Sequence, residues 1–220
     1  MKRCLILVEG QTEERFVKDV LAPDLLLKGL STIPTLLTTK VVKSGPNFKG
    51  GVTNYTKMKG DLNRRLQDSD ALVTTLIDYY GLPNDTPGMS TRPNGSPRER
   101  VQHVENALRE DLGCRPNFLP FLLLHEFEAL LFVDHEITAS VIPAREKAPE
   151  LVSISEGKEP EEINELPETA PSKRLLKVFP SFRKTLHGPT AAKRIGLPRI
   201  RERCPHFNNW MSQLENFANS

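Results

Sequence analysis

Three mainly apolar segments, each followed directly by a residue suited to metal or acid–base chemistry, constrain this chain of 220 residues most. They are residues 4–8, which precede Glu9, residues 71–77, which precede Asp78, and residues 117–124, which precede His125 and Glu126. Continuous rather than alternating apolarity is typical of strands that are buried on both faces, as in parallel sheets. We therefore predict a parallel sheet whose strands end in acidic residues.

Helical patterns separate these segments. An amphipathic helix is predicted over about residues 11–27, with Thr12 as its N-cap and Pro23 bending or ending it. A second strand is predicted at residues 36–42, and further helices at residues 56–67 and 98–111. The order β-α-β-α-β-α-β predicts an α/β fold with a mostly parallel sheet flanked by helices. Ligands of such sheets bind beyond the carboxyl ends of the strands.

The strand signals stop at about residue 140. We therefore divide the chain into an α/β core, residues 1–140, and an extension, residues 141–220, that packs on it. The extension is expected to begin with an acidic Pro-rich loop and to continue as basic helices at residues 172–187, 189–195, 197–203 and 206–217. Within the core, residues 81–97 form a long Pro- and Gly-containing loop, and loops of that length are usually functional or mobile.

Composition describes a soluble globular protein, with 38% hydrophobic and 26% charged residues and a net charge of only +2. The charge is unevenly placed: residues 146–168 hold eight Glu and two Lys, whereas residues 171–206 hold ten Lys or Arg and a single acid, Glu202. An acidic loop followed by a basic binding face would produce this pattern, and so would two solvated surfaces.

The cysteines and the apolar runs indicate a cytoplasmic protein. Cys4, Cys114 and Cys204 lie far apart and form no C-x-x-C pair, which argues against a disulfide framework or a structural zinc site. The first apolar run is too short for a signal peptide, and no run approaches the roughly 20 residues of a membrane span. We expect no association with a membrane.

The acids at the strand ends predict a metal site. Glu9, Asp78, Glu126 and Glu128 would meet at one edge of the sheet, where each is costly unless it is solvated, paired or bound to metal. Mg²⁺ and Mn²⁺ prefer oxygen ligands of this kind, and two such ions about 4 Å apart suit an in-line phosphoryl displacement. The alternative is that these acids are helix caps or solvated edge residues.

The same residues carry a family resemblance. Leu-Val-Glu-Gly-Gln-Thr-Glu at residues 7–13 resembles the first motif of the Toprim fold, and Leu-Ile-Asp-Tyr-Tyr-Gly at residues 76–81 stands where that fold has Asp-x-Asp. His-Glu-Phe-Glu-Ala-Leu-Leu-Phe at residues 125–132 and blocks in the basic tail resemble the bacterial family DUF4276 over nearly the whole chain. The resemblance implies a Toprim-like core, whose relatives in topoisomerases, primases and OLD-type nucleases bind divalent metal and act on nucleic-acid phosphodiesters. It also implies a phage-defence role, because proteins similar to this family are often encoded beside AAA-type ATPases.

One position departs from the Toprim pattern. Tyr80 replaces the second acid of Asp-x-Asp, so a complete two-metal site does not follow from the resemblance. Glu126 and Glu128 can compensate if they share one face of a strand, whereas a helix starting at Glu126 would separate them. Glu13 can approach from one helical turn beyond Glu9. Tyr80 itself is either a packing residue or a partner of a metal-bound water.

Other candidates have several possible roles. His125 can be a ligand, a general acid or a polar strand-end residue. Gly10 and Gly81 suit tight turns or a close approach to phosphate. Four residues in the family-like tail blocks are candidates to contact a nucleic-acid phosphate: Lys173, Arg174, Lys184 and His187. No P-loop or dinucleotide-binding glycine motif occurs.

These observations favour a Mg²⁺- or Mn²⁺-dependent nuclease or related phosphoryl-transfer protein that acts on nucleic acid. A non-catalytic sensor or regulatory subunit of an AAA-type ATPase system is the main alternative, and an enzyme acting on a small phosphate compound is a third.

Overall fold

A parallel sheet forms the centre of the protein, in a computed structural model that describes residues 1–37, 54–163, 166 and 168–220. The order of the long strands is β2 (Leu30–Leu36), β1 (Lys2–Val8) and β3 (Ala71–Asp78). Two short strands, β4 (Phe118–Leu119) and β5 (Leu122–Leu123), both pair with β3. All the pairings described are parallel, which confirms the predicted α/β fold with a mostly parallel sheet.

Helices cover the sheet and make up the extension. In chain order they are α1 (Gln11–Phe16), a π-helical turn (Val17–Leu21), α2 (Ala22–Leu27), α3 (Tyr55–Arg65), α4 (Pro97–Asp111), a 3₁₀ segment (Phe127–Val133), α5 (His135–Ser140), α6 (Ala148–Ser155), α7 (Pro171–Val178), α8 (Lys184–Ile195), α9 (Leu197–Arg203) and α10 (Pro205–Asn219). Single 3₁₀ turns occur at Met89–Thr91, Arg145–Lys147 and Pro160–Glu162. Within the described residues, no helix combines the length and the apolarity that a membrane span needs.

Two strand predictions were wrong in position. The second strand begins at Leu30, six residues before the predicted start, because its sequence mixes polar and apolar residues as an edge strand does. Most of the predicted strand, residues 38–42, lies outside the described residues. The strand predicted at 117–124 is divided by Pro120, which has no N–H for the ladder. Beside it, the Thr75 hydroxyl both accepts a hydrogen bond from the N–H of Phe121 (2.8 Å) and donates one to its carbonyl (2.6 Å).

Helix boundaries also differ from the predictions. Pro23 does not end the first helical segment, because α2 continues through it to Leu27. The segment is interrupted earlier, by the π-helical turn at Val17–Leu21. The segment after residue 140 contains α6 and two 3₁₀ turns as well as loops, and the helix predicted at 172–187 is two helices, α7 and α8. Pro189 lies inside α8, where it cannot donate to the carbonyl of Thr185; Arg15 of α1 donates to that carbonyl instead, at 2.6 Å.

The extension packs directly against the sheet. Trp210 of α10 donates from its indole nitrogen to the hydroxyl of Thr74 in β3 at 2.9 Å, and its ring stacks on Phe121 with centroids 4.3 Å apart. Trp210 and Phe121 belong to one buried apolar cluster that also includes Ile6 and Phe207. The division of the chain at residue 140 stays a prediction.

Candidate functional site

The carboxyl ends of β1, β3 and β5 lie side by side, because Val8 is in register with Leu76, and Asp78 with Leu123. Glu9 leaves β1 at this edge. Its carboxylate accepts a hydrogen bond from the backbone N–H of Asp78 at 3.4 Å. The acids that follow β1 and end β3 therefore meet at one edge of the sheet.

Asp78 also binds the segment that follows β5. Its Oδ1 accepts a hydrogen bond from the N–H of Phe127 at 2.8 Å. The Phe127 side chain is fully buried and packs edge-on against Phe16 of α1, with ring centroids 5.2 Å apart. The start of the 3₁₀ segment is thus held both by an acid of the site and by the core beneath it.

Glu13 adds a carboxylate from the first turn of α1. Gly10, rather than the predicted Thr12, is the N-cap of this helix, and its N–H donates to Glu13 Oε2 at 2.9 Å. The Glu13 side chain is buried, one helical turn beyond Glu9. A conventional sequence signal exists for this contact, since a Glu at the third helical position often reaches back to the N-cap.

Glu126 and Glu128 reach the same site from the segment after β5. Glu126 Oε2 accepts a hydrogen bond from the N–H of Ser172 in α7 at 2.9 Å. The Lys184 ammonium, from α8, lies 3.2 Å from Glu128 Oε2 and 3.8 Å from Glu126 Oε1. The 3₁₀ segment begins directly after Glu126, so the two acids do not share a strand face, yet both contact Lys184.

We refer to Glu9, Glu13, Asp78, Glu126 and Glu128 as the acid cluster. Burial, followed by the charge of Glu13, raises the pKa of Glu9 to about 7. Burial, followed by the charge of Glu126, raises the pKa of Glu128 to about 7, although Lys184 opposes this change. Burial and then Glu9 and Glu13 raise the pKa of Asp78 well above its ordinary value. The folded protein thus brings carboxylates together with less positive charge than they would need to ionise freely.

Lys184 supplies positive charge to the acid cluster. Burial disfavours its charged form, but Glu128 and then Glu126 outweigh burial and raise the pKa of Lys184. Helix α8 comes close because of Gly188, where a Cβ atom would meet Phe127 Cε1 at 3.3 Å and Thr12 Cγ2 at 3.4 Å. The lysine predicted to bind phosphate is therefore held beside the acids by close helix packing.

The donor chemistry of the acid cluster fits a hard divalent cation, since all five side chains offer carboxylate oxygens. The raised pKa values of Glu9, Asp78 and Glu128 point the same way, because a divalent cation would offset the repulsion that causes them. Within the described residues, however, no three His, Cys, Asp or Glu side chains converge closely enough to enclose a metal ion. Binding would therefore require the carboxylates of the cluster to move closer together.

Three further predicted positions line this edge. The N–H of Tyr80 donates to the carbonyl of His125 at 3.0 Å, and the Tyr80 side chain is 37% exposed. A Cβ atom on Gly81 would lie 3.8 Å from Glu9 Oε1, which is an ordinary contact, so space does not require a glycine there. The Gly10 backbone is extended, and its N–H binds Glu13.

His125 is 1% exposed, and its Nε2 lies 3.1 Å from the carbonyl oxygen of Glu161. A carbonyl only accepts hydrogen bonds, so Nε2 carries the proton. Burial lowers the pKa of His125 to about 4, and the ring is therefore neutral at neutral pH. A general acid needs a proton that it can release to substrate, and this one is engaged by the protein.

The other predicted phosphate contacts lie in different surroundings. Arg174 is buried and donates to the carbonyls of Thr169 (2.8 Å) and Ile154 and to the carboxylate of Glu156 (3.1 Å), so it joins α6 to α7. His187 accepts a hydrogen bond from the N–H of Arg183 at 3.0 Å, at the start of α8. Lys173 is exposed on α7. The structure brings only Lys184 of these four into contact with the acid cluster.

Part of the basic tail is neutralised within the chain. Three of its arginines pair with acids of other segments: Arg199 with Asp134, Arg201 with Glu215 and Arg203 with Glu159. These pairs reduce the charge that the tail can offer to a polyanion.

Two contributors were missed in the sequence. The backbone N–H of Ser172 and the carbonyl of Glu161 each bind a site residue, Glu126 and His125 respectively. No side-chain pattern signals a backbone contact between segments more than 30 residues apart.

Comparison with known proteins gave a family and one structural likeness. A search of curated proteins found no match. The C-terminal region of the Burkholderia pseudomallei OLD protein resembles this chain with a TM-score of 0.46 and 18% identity, over 99% of both chains. Proteins this far apart in sequence need not share an activity. The model of DUF4276, a domain of unknown function, matches residues 8–215, and the chain belongs to that family.

Proposed function

We propose that this protein is a Mg²⁺- or Mn²⁺-dependent nuclease, or a related phosphoryl-transfer protein, that acts on nucleic-acid phosphodiesters. The observation that carries the proposal is the acid cluster at the carboxyl edge of the sheet, with Lys184 in contact with two of its acids. The raised pKa values of Glu9, Asp78 and Glu128 support it, because such values are typical of catalytic and metal sites. The resemblance of residues 7–13 and 76–81 to Toprim motifs gives the substrate class.

Each part of the cluster has a separate task in this proposal. Glu9, Asp78 and Glu128 would hold the metal, with Glu13 and Glu126 beside them. When bound, the metal supplies positive charge and lowers the pKa of a coordinated water. Glu13 and Glu126 are each fixed by a backbone N–H, from Gly10 and Ser172, which keeps their carboxylates oriented. Lys184, whose side chain keeps access to solvent, would bind the substrate phosphate.

A second candidate is a non-catalytic sensor or regulatory subunit of an AAA-type ATPase system. Tyr80 favours it, because a tyrosine at this position removes an acid that the Toprim pattern supplies for metal. A phage-defence role is part of both candidates and comes from the family resemblance.

The two candidates are separated by a cleavage assay with purified protein. Single- and double-stranded DNA and RNA are incubated with Mn²⁺ or Mg²⁺, and wild type is compared with Asp78→Asn. The proposal expects cutting by wild type that the variant and EDTA both abolish, with the variant still folded by circular dichroism. Equal cutting by Asp78→Asn would sink the metal-site assignment. A folded wild type that binds Mn²⁺ in calorimetry yet cuts nothing, alone or with its ATPase, would favour the regulatory candidate.

A further inference from the structure

His125 has a backbone conformation that residues other than glycine seldom adopt. Its φ is +67°, in the left-handed region. Cys114 (φ +50°) and Glu156 (φ +57°) share this property, but each follows a helix, α4 or α6, where left-handed residues are common. His125 instead stands between β5 and the 3₁₀ segment, at the acid cluster. Such conformations persist where the surroundings enforce them and often mark functional sites.

The turn at His125 decides where the following acids point. Before it, the chain runs alongside β3, and the N–H of Tyr79 donates to the carbonyl of Leu123 at 3.0 Å. After it, the N–H of Phe127 points back to Asp78 Oδ1 at 2.8 Å. An extended His125 would continue the strand and carry Phe127 away from Asp78. The left-handed turn is therefore what joins the end of β3 to the acids after β5.

The His125 side chain binds the turn to the C-terminal helix. Its Nε2–H donates to the carbonyl of Glu161 at 3.1 Å. Glu161 is itself fixed, because its carboxylate accepts hydrogen bonds from the N–H groups of His206 and Phe207, both at 2.9 Å, in the first turn of α10. A continuous set of contacts thus runs from α10 through Glu161 and His125 to the site.

We propose that His125 is a positioning residue: its imidazole, by donating to the Glu161 carbonyl, holds the left-handed turn that directs the N–H of Phe127 toward Asp78 and the carboxylates of Glu126 and Glu128 toward Lys184. The inference that this arrangement shapes a metal site rests on the proposed function. The hydrogen bond and the turn do not, and they can be tested in metal-free protein.

The test substitutes His125→Asn, because asparagine tolerates the left-handed region but is too short to reach Glu161. Amide exchange of Phe127 and Tyr80 is followed by NMR in the absence of metal. The proposal expects exchange at both amides to accelerate about tenfold, the equivalent of one hydrogen bond, while β1 amides keep their protection. Exchange within twofold of wild type would overturn it. Cys114→Asn, at the other end of the sheet and also left-handed, is the matched control and should leave Phe127 unchanged.

A measurement on wild type covers the case in which the variant does not fold. The imidazole nitrogen spectrum should show His125 as the Nε2–H tautomer with a slowly exchanging ring proton. The opposite tautomer would contradict the proposal. Calorimetry then tests the effect on metal binding: His125→Asn should weaken Mn²⁺ binding about tenfold, because the acids that follow the turn would be less well oriented. If wild type binds no Mn²⁺, the proposed function fails, while the exchange and tautomer results still decide the role of His125.

Discussion

Lys184 Nζ lies 3.2 Å from Glu128 Oε2, although α8 and the 3₁₀ segment are more than 50 residues apart in the chain. Glu128 is 1% exposed, whereas the Lys184 side chain is 45% exposed. A buried acid is therefore compensated by a cation that keeps access to solvent. The C-terminal extension, through this lysine, becomes part of the candidate site.

Stability of the metal-free protein should fall as the pH rises from about 4.5 to about 7. Glu9 and Glu128 have a pKa near 7 when folded and an ordinary value of 4.5, so the folded state binds protons more tightly than the unfolded state. The loss should be on the order of 3 to 7 kcal/mol, the lower figure for one acid and the upper for two independent ones. Urea unfolding at a series of pH values measures it, and saturating Mn²⁺ should flatten the curve. Stability that rises over this range would contradict the raised pKa values.

Replacing Glu9 with Gln should stabilise the metal-free protein at pH 8 by about 1 to 2 kcal/mol, because it removes one of several repelling charges. The same change should abolish Mn²⁺ binding and cleavage. Glu14→Gln is the control, since Glu14 pairs with Lys18 away from the cluster and should change stability by less than about 0.5 kcal/mol. Wild-type Mn²⁺ binding by Glu9→Gln would remove Glu9 from the site.

Lys184→Met should destabilise the metal-free protein at pH 8 by about 1 to 2 kcal/mol. A buried pair that loses one partner usually costs more, but Lys184 is partly exposed and solvent screens its charge. Saturating Mn²⁺ should restore most of the loss by neutralising the acids. Lys173→Met, on the exposed side of α7, serves as the control and should have little effect. Equal effects of the two variants would show that the contact with Glu128 contributes nothing.

Tyr80→Asp restores the second acid of the Toprim pattern. We expect it to tighten Mn²⁺ binding about tenfold, because hard cations bind more strongly as carboxylates are added. It should also lower the stability of the metal-free protein at pH 8, since the new charge adds to the repulsion. Tyr80→Asn separates the effect of charge from the loss of the ring. Unchanged affinity in both variants would mean that position 80 does not face the metal.

Gly188→Ala should be less favourable than Gly60→Ala by about 1 kcal/mol. Alanine normally stabilises a helix relative to glycine by about 0.5 to 1 kcal/mol, and the Cβ at Gly60 would meet nothing within 4 Å. At Gly188 it would press on Phe127 at 3.3 Å, where the ring is fully buried. Thermal or urea unfolding of both variants tests this. Equal stabilisation would show that α8 can shift without cost.

The sequence alone was sufficient for those features that depend on contiguous residues. The segments at 4–8 and 71–77 predicted β1 and β3 to within two residues, because a strand buried on both faces is mainly apolar along its whole length. The acids that follow were recognisable for the same reason: an acid that ends such a run needs a specific partner. Where strands were at an edge or interrupted by Pro120, the pattern was weaker, and the predicted bounds were displaced.

Only the tertiary structure decided which partners those acids have. The chain shows Lys173, Arg174, Lys184 and His187 as similar basic candidates, yet burial against α6 assigns Arg174 to a structural contact, while Gly188 lets Lys184 approach the acids. The left-handed turn at His125 and its hydrogen bond to Glu161 likewise have no signal in the amino-acid sequence. The physical reason is that local patterns report burial and periodicity, whereas charge pairing and backbone hydrogen bonds between distant segments exist only once helices and sheet have packed together.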